Sequence, residues 1–181
     1  MVWELESNTE GFQTFQLVEF EESSIVFAEM FNGVELISDH KWNPVYVEVA
    51  DEGMESDYPH FWGSSGVPIV SENAKIILED VLGNEVEFLP IMLGEKIYYA
   101  IHIIKHLDAV DRTKTEFRQL PSGLIVGFKK LHFIQNVIEN HNIFKVYLNN
   151  NLYGTSIFVS DVLKEIVIKH QLKGFKFKQF S

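Results

Sequence analysis

The chain has 181 residues, 46% of them apolar and 23% charged, which is long and apolar enough to bury one sizeable core and excludes a disordered protein. Its net charge of −11 is polarised: residues 1–60 hold fourteen acidic residues and one basic residue, Lys41, whereas residues 122–181 hold three acidic and eight basic ones. An acidic end of this size makes nucleic acid a poor partner, and it serves either to steer a basic protein or simply as a solubilising face.

The first residues, "MVWELESNTEGF", lack the cationic and apolar pattern of a leader, and no apolar run approaches the roughly 18 to 20 residues of a membrane span, so no membrane association and a cytoplasmic location are expected. Zero cysteines exclude disulfides and thiolate chemistry and fit a reducing compartment. "FQTFQLVEF" (12–20) and "NPVYVEVA" (43–50) alternate partly as strands do, while "IVFAEMF" (25–31) suits either type. Acidic loops are expected at "EFEES" (19–23) and "DEGMESD" (51–57). "GSSG" (63–66) reads as a turn. Ser71 then caps a helix with Ala74, Ile77, Leu78 and Val81 at helical spacing and Gly83 as its stop.

"EVEFLPIML" (85–93) and "IYYAIHII" (97–104) read as two strands joined by a short connection, with Pro90 limiting the ladder of the first. "LIVGFKKLHFI" (124–134), "IFKVYL" (143–148) and "LYGTSIFVS" (152–160) are further strands, with a turn or short helix at "QNVIENHN". Ser160 caps an amphipathic helix that Gly174 ends, and "FKFKQF" closes as a strand. The pattern predicts one α+β domain over 1–181, mostly antiparallel strands with two clear helices, about 71–82 and 161–171.

The chemistry of the chain concentrates in "YYAIHIIKHLDAVD" (98–111). His102 and His106 are four apart, which on a helix would bring them within about 6 Å and suit a metal. On the strand that the β-branched and aromatic residues predict, four residues span roughly 13 Å, too far for two imidazoles to share one zinc. Ile103 also stands where a zincin needs a glutamate. Asp108 and Asp111 form a candidate acid pair, but directly after a strand aspartates commonly cap a turn. No metal or cofactor is expected.

Elsewhere, "GSSG" lacks the spacing of a nucleophile elbow, and there is no phosphate loop. His40, His60, His132, His141 and His170 are scattered, His170 being accounted for by a helix C-terminus. The tail interleaves Lys173, Lys176 and Lys178 with Phe175, Phe177 and Phe180; a lysine-guarded edge strand explains it more simply than base stacking. "DEGMESDYPHFWG" (51–63) joins four acids to Tyr58, His60, Phe61 and Trp62. Aromatic anchors beside steering charges suit a protein interface, the alternative being that the rings fold inwards as core. The contact candidates are Glu19, Glu21, Glu22, Asp51, Glu52, Glu55, Asp57, Tyr58, Phe61 and Trp62.

Five phrases in order, "PIVSENAKIILED" (68–80), "VEFLPIML" (86–93), "KIYYAIHIIKHLDAVD" (96–111), "IFKVYL" (143–148) and "IFVSDVLKEIVIKHQLKGFKF" (157–177), resemble immunity protein family eleven of bacterial polymorphic-toxin systems, formerly a domain of unknown function. The resemblance covers about residues 57–178 and leaves an acidic, strand-rich part over 1–56. It rests on Ser71, Leu89, Pro90, Tyr98, Asp108, Asp111, Phe158, Ser160 and Gly174, which it implies are framework: two helix caps, a strand with a proline, a turn and a helix stop. His102 departs from it, standing where an asparagine-like residue would be expected.

The resemblance implies a non-enzymatic protein that binds and neutralises a cognate toxin domain, and the charge adds that a basic toxin would match. Two rivals are an enzyme using Asp108, Asp111 and His102 or His106, and a regulatory interaction module unrelated to toxins.

Overall fold

The computed structural model describes residues 1–38, 42–63 and 66–179, except the side chains of Phe20 and Glu22. His40, Lys41, the two serines of "GSSG", Phe180 and the Glu22 side chain therefore lie outside the described residues. In chain order the elements are β1 (Val2–Ser7), β2 (Thr14–Leu17), α1 (Phe20–Met30), β3 (Val45–Asp51), β4 (His60–Phe61), β5 (Ile69–Ser71), α2 (Glu72–Leu82), β6 (Val86–Leu93) and β7 (Lys96–Ile103). Then follow β8 (His106–Leu107), β9 (Glu116–Gln119), β10 (Ile125–Lys130), α3 (Gln135–Ile138), β11 (Ile143–Leu148), β12 (Asn151–Ser160), α4 (Asp161–Lys169) and β13 (Phe175–Lys178).

These strands form a six-stranded sheet in the order β4-β2-β3-β6-β7-β5, a five-stranded sheet β13-β1-β12-β11-β8, and a β9-β10 hairpin. Pairing is antiparallel apart from β2/β4, β3/β6 and β8/β11. The α+β class and the predominance of antiparallel strands thus match the sequence. The helix count does not. Besides α2 and α4 there is a third helix of seven or more residues, α1, and a single turn, α3.

α1 takes in most of the expected acidic loop at 19–23 and the ambiguous "IVFAEMF". As a strand, that segment would put Ile25, Phe27, Glu29 and Phe31 on one face and bury Glu29. As a helix it brings Phe27 and Phe31, four apart, together at 4.9 Å, both buried, and leaves Glu29 in solvent. β2 is correspondingly short, Thr14–Leu17, and β1 is an N-terminal strand that the sequence pattern did not show.

Both faces of the six-stranded sheet are covered, which is why β6 and β7 read as nearly continuous apolar runs. Tyr98 and Ala100 of β7 pack with Phe27 and Phe31 of α1, while Ile101 and Ile103 face Leu78 of α2 and Leu163 of α4. That second cluster also holds Leu5, Ile143, Ile157 and Val159, so α2 and α4 bind the two sheets together. Phe144, Val146 and Phe158 point the other way, into a third cluster with Ile138 of α3 and the half-buried Phe117 and Phe128 of the hairpin.

Both expected caps form: Ser71 Oγ accepts the Ala74 amide at 3.1 Å and Ser160 Oγ accepts that of Leu163 at 3.3 Å. α4, however, ends at Lys169, and Gln171 takes the left-handed stop with φ 55°. Gly174 is needed for a different reason. It has φ 87°, and a Cβ there would lie 2.7 Å from Ser56 Cβ and 2.9 Å from the Tyr58 carbonyl.

Pro90 does not shorten the β6/β7 ladder, which runs from Val86↔Ile103 to Leu93↔Lys96. Its carbonyl accepts Trp42 Nε1 at 2.9 Å, so the edge with the missing N–H faces β3, where pairing is confined to Val45↔Ile91 and Tyr46↔Met92. β13 is an edge strand, and its lysines pair with β1: Lys178 Nζ lies 3.0 Å from Glu4 and Lys176 Nζ 3.6 Å from Glu6.

Candidate functional site

The four groups of the enzyme reading are not brought together. His102, fully buried on β7, donates from Nε2 to the Gly33 carbonyl at 2.9 Å and turns Nδ1 to Glu87 at 3.4 Å. His106 sits on β8 and donates from Nε2 to the Ile103 carbonyl at 3.0 Å. Asp111 closes an Asx turn, accepting the amide and hydroxyl of Thr113 at 3.0 and 2.6 Å, and these bonds hold its carboxyl below the usual range. Asp108 caps no backbone; its carboxylate is exposed and 3.5 Å from Arg112. Among the described residues no three His, Asp or Glu side chains form a metal-ligand set.

Of the contact candidates, Tyr58 and Phe61 are core. Tyr58 is 5% exposed and stacks on Phe175 at 4.6 Å; Phe61 is 4% exposed against Phe27 at 5.5 Å. Large rings bury more apolar area inwards than a loop surface offers them, so neither meets a partner on the surface as it stands. Asp57 is half-buried and structural. It accepts the Ser71 hydroxyl at 2.6 Å and the Lys173 amide at 2.9 Å, tying the start of α2 to the segment after α4.

Trp62 remains exposed at 46%, its Nε1 donating to Thr14 Oγ1 at 2.9 Å and Asp51 Oδ2 at 3.2 Å. Glu55 pairs with Lys96, and Glu52 is exposed with no side-chain partner among the described residues. Glu19 and Glu21 are also exposed, but at the other end of the β2/β3 ladder, where Leu17 pairs with Val47. Three residues of strand, roughly 10 Å, separate the two acidic groups.

The Glu19 end carries a surface that the sequence reading missed. On the outer face of α1, Ile25 is 71% exposed, Val26 61% and Met30 44%, and Val34 and Leu36 continue the apolar patch. Glu21 and Glu29, four residues either side of Ile25, flank it, with Glu35 beyond. Among the described residues, nine of the seventeen large apolar side chains left exposed fall in residues 18–62, so this concentration is not scattered surface. The sequence signal was present in Phe27 and Phe31 at helical spacing, which force Ile25 and Val26 outwards.

A partly buried polar clamp positions this helix. Glu87 of β6 accepts the amides of Ile37 and Ser38 at 2.8 and 2.9 Å, just beyond α1, and His102 holds Gly33. Burial alone would raise the Glu87 carboxyl; the bonds from Ser38, Ile37 and His102 outweigh it and hold it below its ordinary value. His102 is therefore a satisfied core histidine.

The described residues form a sheet-rich α+β scaffold with an exposed apolar row flanked by acids on α1. The chain matches the model of the immunity protein family Imm11 over residues 41–181, and it belongs to that family. The match starts at 41 rather than 57, so it takes in β3 and the loop of Asp51, Glu52 and Glu55, while β1, β2 and α1 precede it. No curated protein matches the chain. No helix among the described residues is long and apolar enough to cross a membrane.

Proposed function

We propose that the protein binds a cognate toxin domain stoichiometrically in the cytoplasm and neutralises it without chemistry of its own. The outer face of α1 is the contact surface, with Ile25, Val26 and Met30 as the apolar centre and Glu19, Glu21, Glu29 and Glu35 as steering charges. The partner is basic and is a protein, because phosphate backbones are repelled by the same carboxylates. The observation that carries this reading is the exposed apolar row set among acids with no base on α1, in a member of an immunity protein family. Asp51, Glu52 and Trp62 add a second acidic rim, expected to affect the rate of encounter more than affinity.

Co-expression with the toxin domain encoded beside the gene tests it. Growth is restored and the two chains co-purify in equal amounts, and the double variant Glu21→Lys with Glu29→Lys slows association and flattens its salt dependence. Absence of a complex with that domain, or salt dependence unchanged in the variant, contradicts the reading.

A further inference from the structure

Lys145 is a side chain whose placement neither the scaffold nor the proposed contact surface accounts for. It lies in β11 at the irregularity between the pairs Phe144↔Phe158 and Val146↔Tyr153. Its neighbours Phe144 and Val146 enter the third cluster, so Lys145 points to the opposite face. The residue is 1% exposed. Its backbone is fixed by the bond from its amide to the Lys105 carbonyl at 2.9 Å, but its ammonium has no carboxylate and no hydrogen-bond acceptor among the described residues. The side chain is buried, and the ammonium, without an ion-pair partner among the described residues, reaches the cavity beside it.

The ammonium is aimed at a cavity of about 400 Å³ lined by Asn32, just beyond α1, and by Gly63, Gly66, Lys145, Gly154 and Thr155. Nζ lies 3.4 Å from where a Cβ on Gly66 would stand, and that Cβ would be 1.9 Å from the Gly154 carbonyl. Any side chain at Gly66 would therefore displace the contact that brings backbone up to the amine. The side chains of Asn32 and Thr155, both exposed, have no hydrogen-bond partner among the described residues and supply further donors. His106, opposite Lys145 in the β8/β11 register, offers no counter-charge. Its Nδ1 is buried without a partner, and burial, then the Lys145 charge, lower its pKa to about 4, so it is neutral at pH 7.

We infer that this cavity is a binding site for a small oxyanion of carboxylate or phosphate type, held by the Lys145 ammonium with the Asn32 amide and the Thr155 hydroxyl. Such an anion supplies the counter-charge that the fold omits, and by touching both Asn32 and Thr155 it joins the turn after α1 to β12. Burial alone pulls the free amine down to about 8, so it is still mostly charged at pH 7 and able to hold an anion. The site would then work independently of any toxin, and its failure would leave the α1 reading intact.

The test follows the Lys145 side-chain nitrogen by NMR in lysine-labelled protein, titrated with acetate and, separately, with inorganic phosphate. Sodium chloride at matched ionic strength is the control. The expected result is a saturable rise of the Lys145 pKa by one unit or more with acetate or phosphate and not with chloride, together with an anion-dependent rise in Tm that the variant Lys145→Met loses. A pKa that does not move, a shift that chloride reproduces, or a Tm rise that persists in Lys145→Met overturns the proposal. Lys145→Met keeps the side-chain volume and removes an unpaired charge, so it is expected to fold.

Discussion

α1 and α2 have the same length, eleven residues, and cover opposite faces of one sheet, yet they are held in opposite ways. α2 carries its own start signal in Ser71 and buries Ala74, Leu78 and Leu82 as one row; α4 repeats the scheme with Ser160, Leu163 and Val167. α1 has no side-chain cap and no basic residue in its last turn. It depends on Phe27 and Phe31, whose partners Trp42, Phe61 and His102 come from later in the chain, and on the Glu87 clamp beyond its end. A helix specified from a distance can spare its outer face for a partner. A helix wedged between two sheets cannot.

That contrast breaks most sharply at Phe31. Phe31→Ala should cost about 3 to 5 kcal/mol, and hydrogen exchange should show α1 amides losing protection well before those of α2 and α4. Loss spread evenly over all three helices would mean that α1 is no less independent than the others.

The next effect is a pH dependence of up to about 3 kcal/mol from Lys145, read as the shift from 10.5 to about 8. Between those values the unfolded chain holds a proton that the folded chain has released, so stability rises with pH across that window. His106 acts in the acid range. Its folded pKa of about 4 lies below the ordinary histidine value of 6.5, so stability falls as pH drops from about 6.5 towards 4. Urea melts across pH should show both slopes in the wild type, and Lys145→Met should remove the alkaline one. A flat alkaline limb in the wild type would show the amine to be solvated or paired.

The smallest effect sharpens the comparison of helix starts. Ser160→Ala should cost about 1 kcal/mol, whereas Glu19→Ala, at the uncapped start of α1, should stay within about 0.5 kcal/mol. Equal losses in denaturant melts would argue that α1 has a cap after all.

What could be read in advance follows the same division. α2, α4, the β6/β7 hairpin and the lysine-guarded edge β13 were legible because each shows in local sequence: a capping serine, a 3.6-residue row, a glycine turn, an alternation of lysine with phenylalanine. α1 was not, because Ile25 and Val26 are as much strand formers as helix formers, and only contacts with distant rings decide. The burial of Tyr58 and Phe61 and the structural role of Asp57 rest likewise on Phe175, Phe27 and Lys173, up to 117 residues away. Lys145 gave a faint signal, standing within "IFKVYL", a strand with both faces buried. Lysines are rarely buried, which hid it. The contact candidates were legible as acids, but the apolar row they flank required the helix first.

The most direct test of the central claim is calorimetric titration of the neighbouring toxin domain into this protein and into Met30→Arg, with circular dichroism confirming that both are folded. The account predicts one-to-one binding by the wild type and at least a roughly 100-fold weaker affinity for Met30→Arg, since a charge at the centre of an apolar contact is desolvated without a partner. Equal affinity for both would place the interface away from α1.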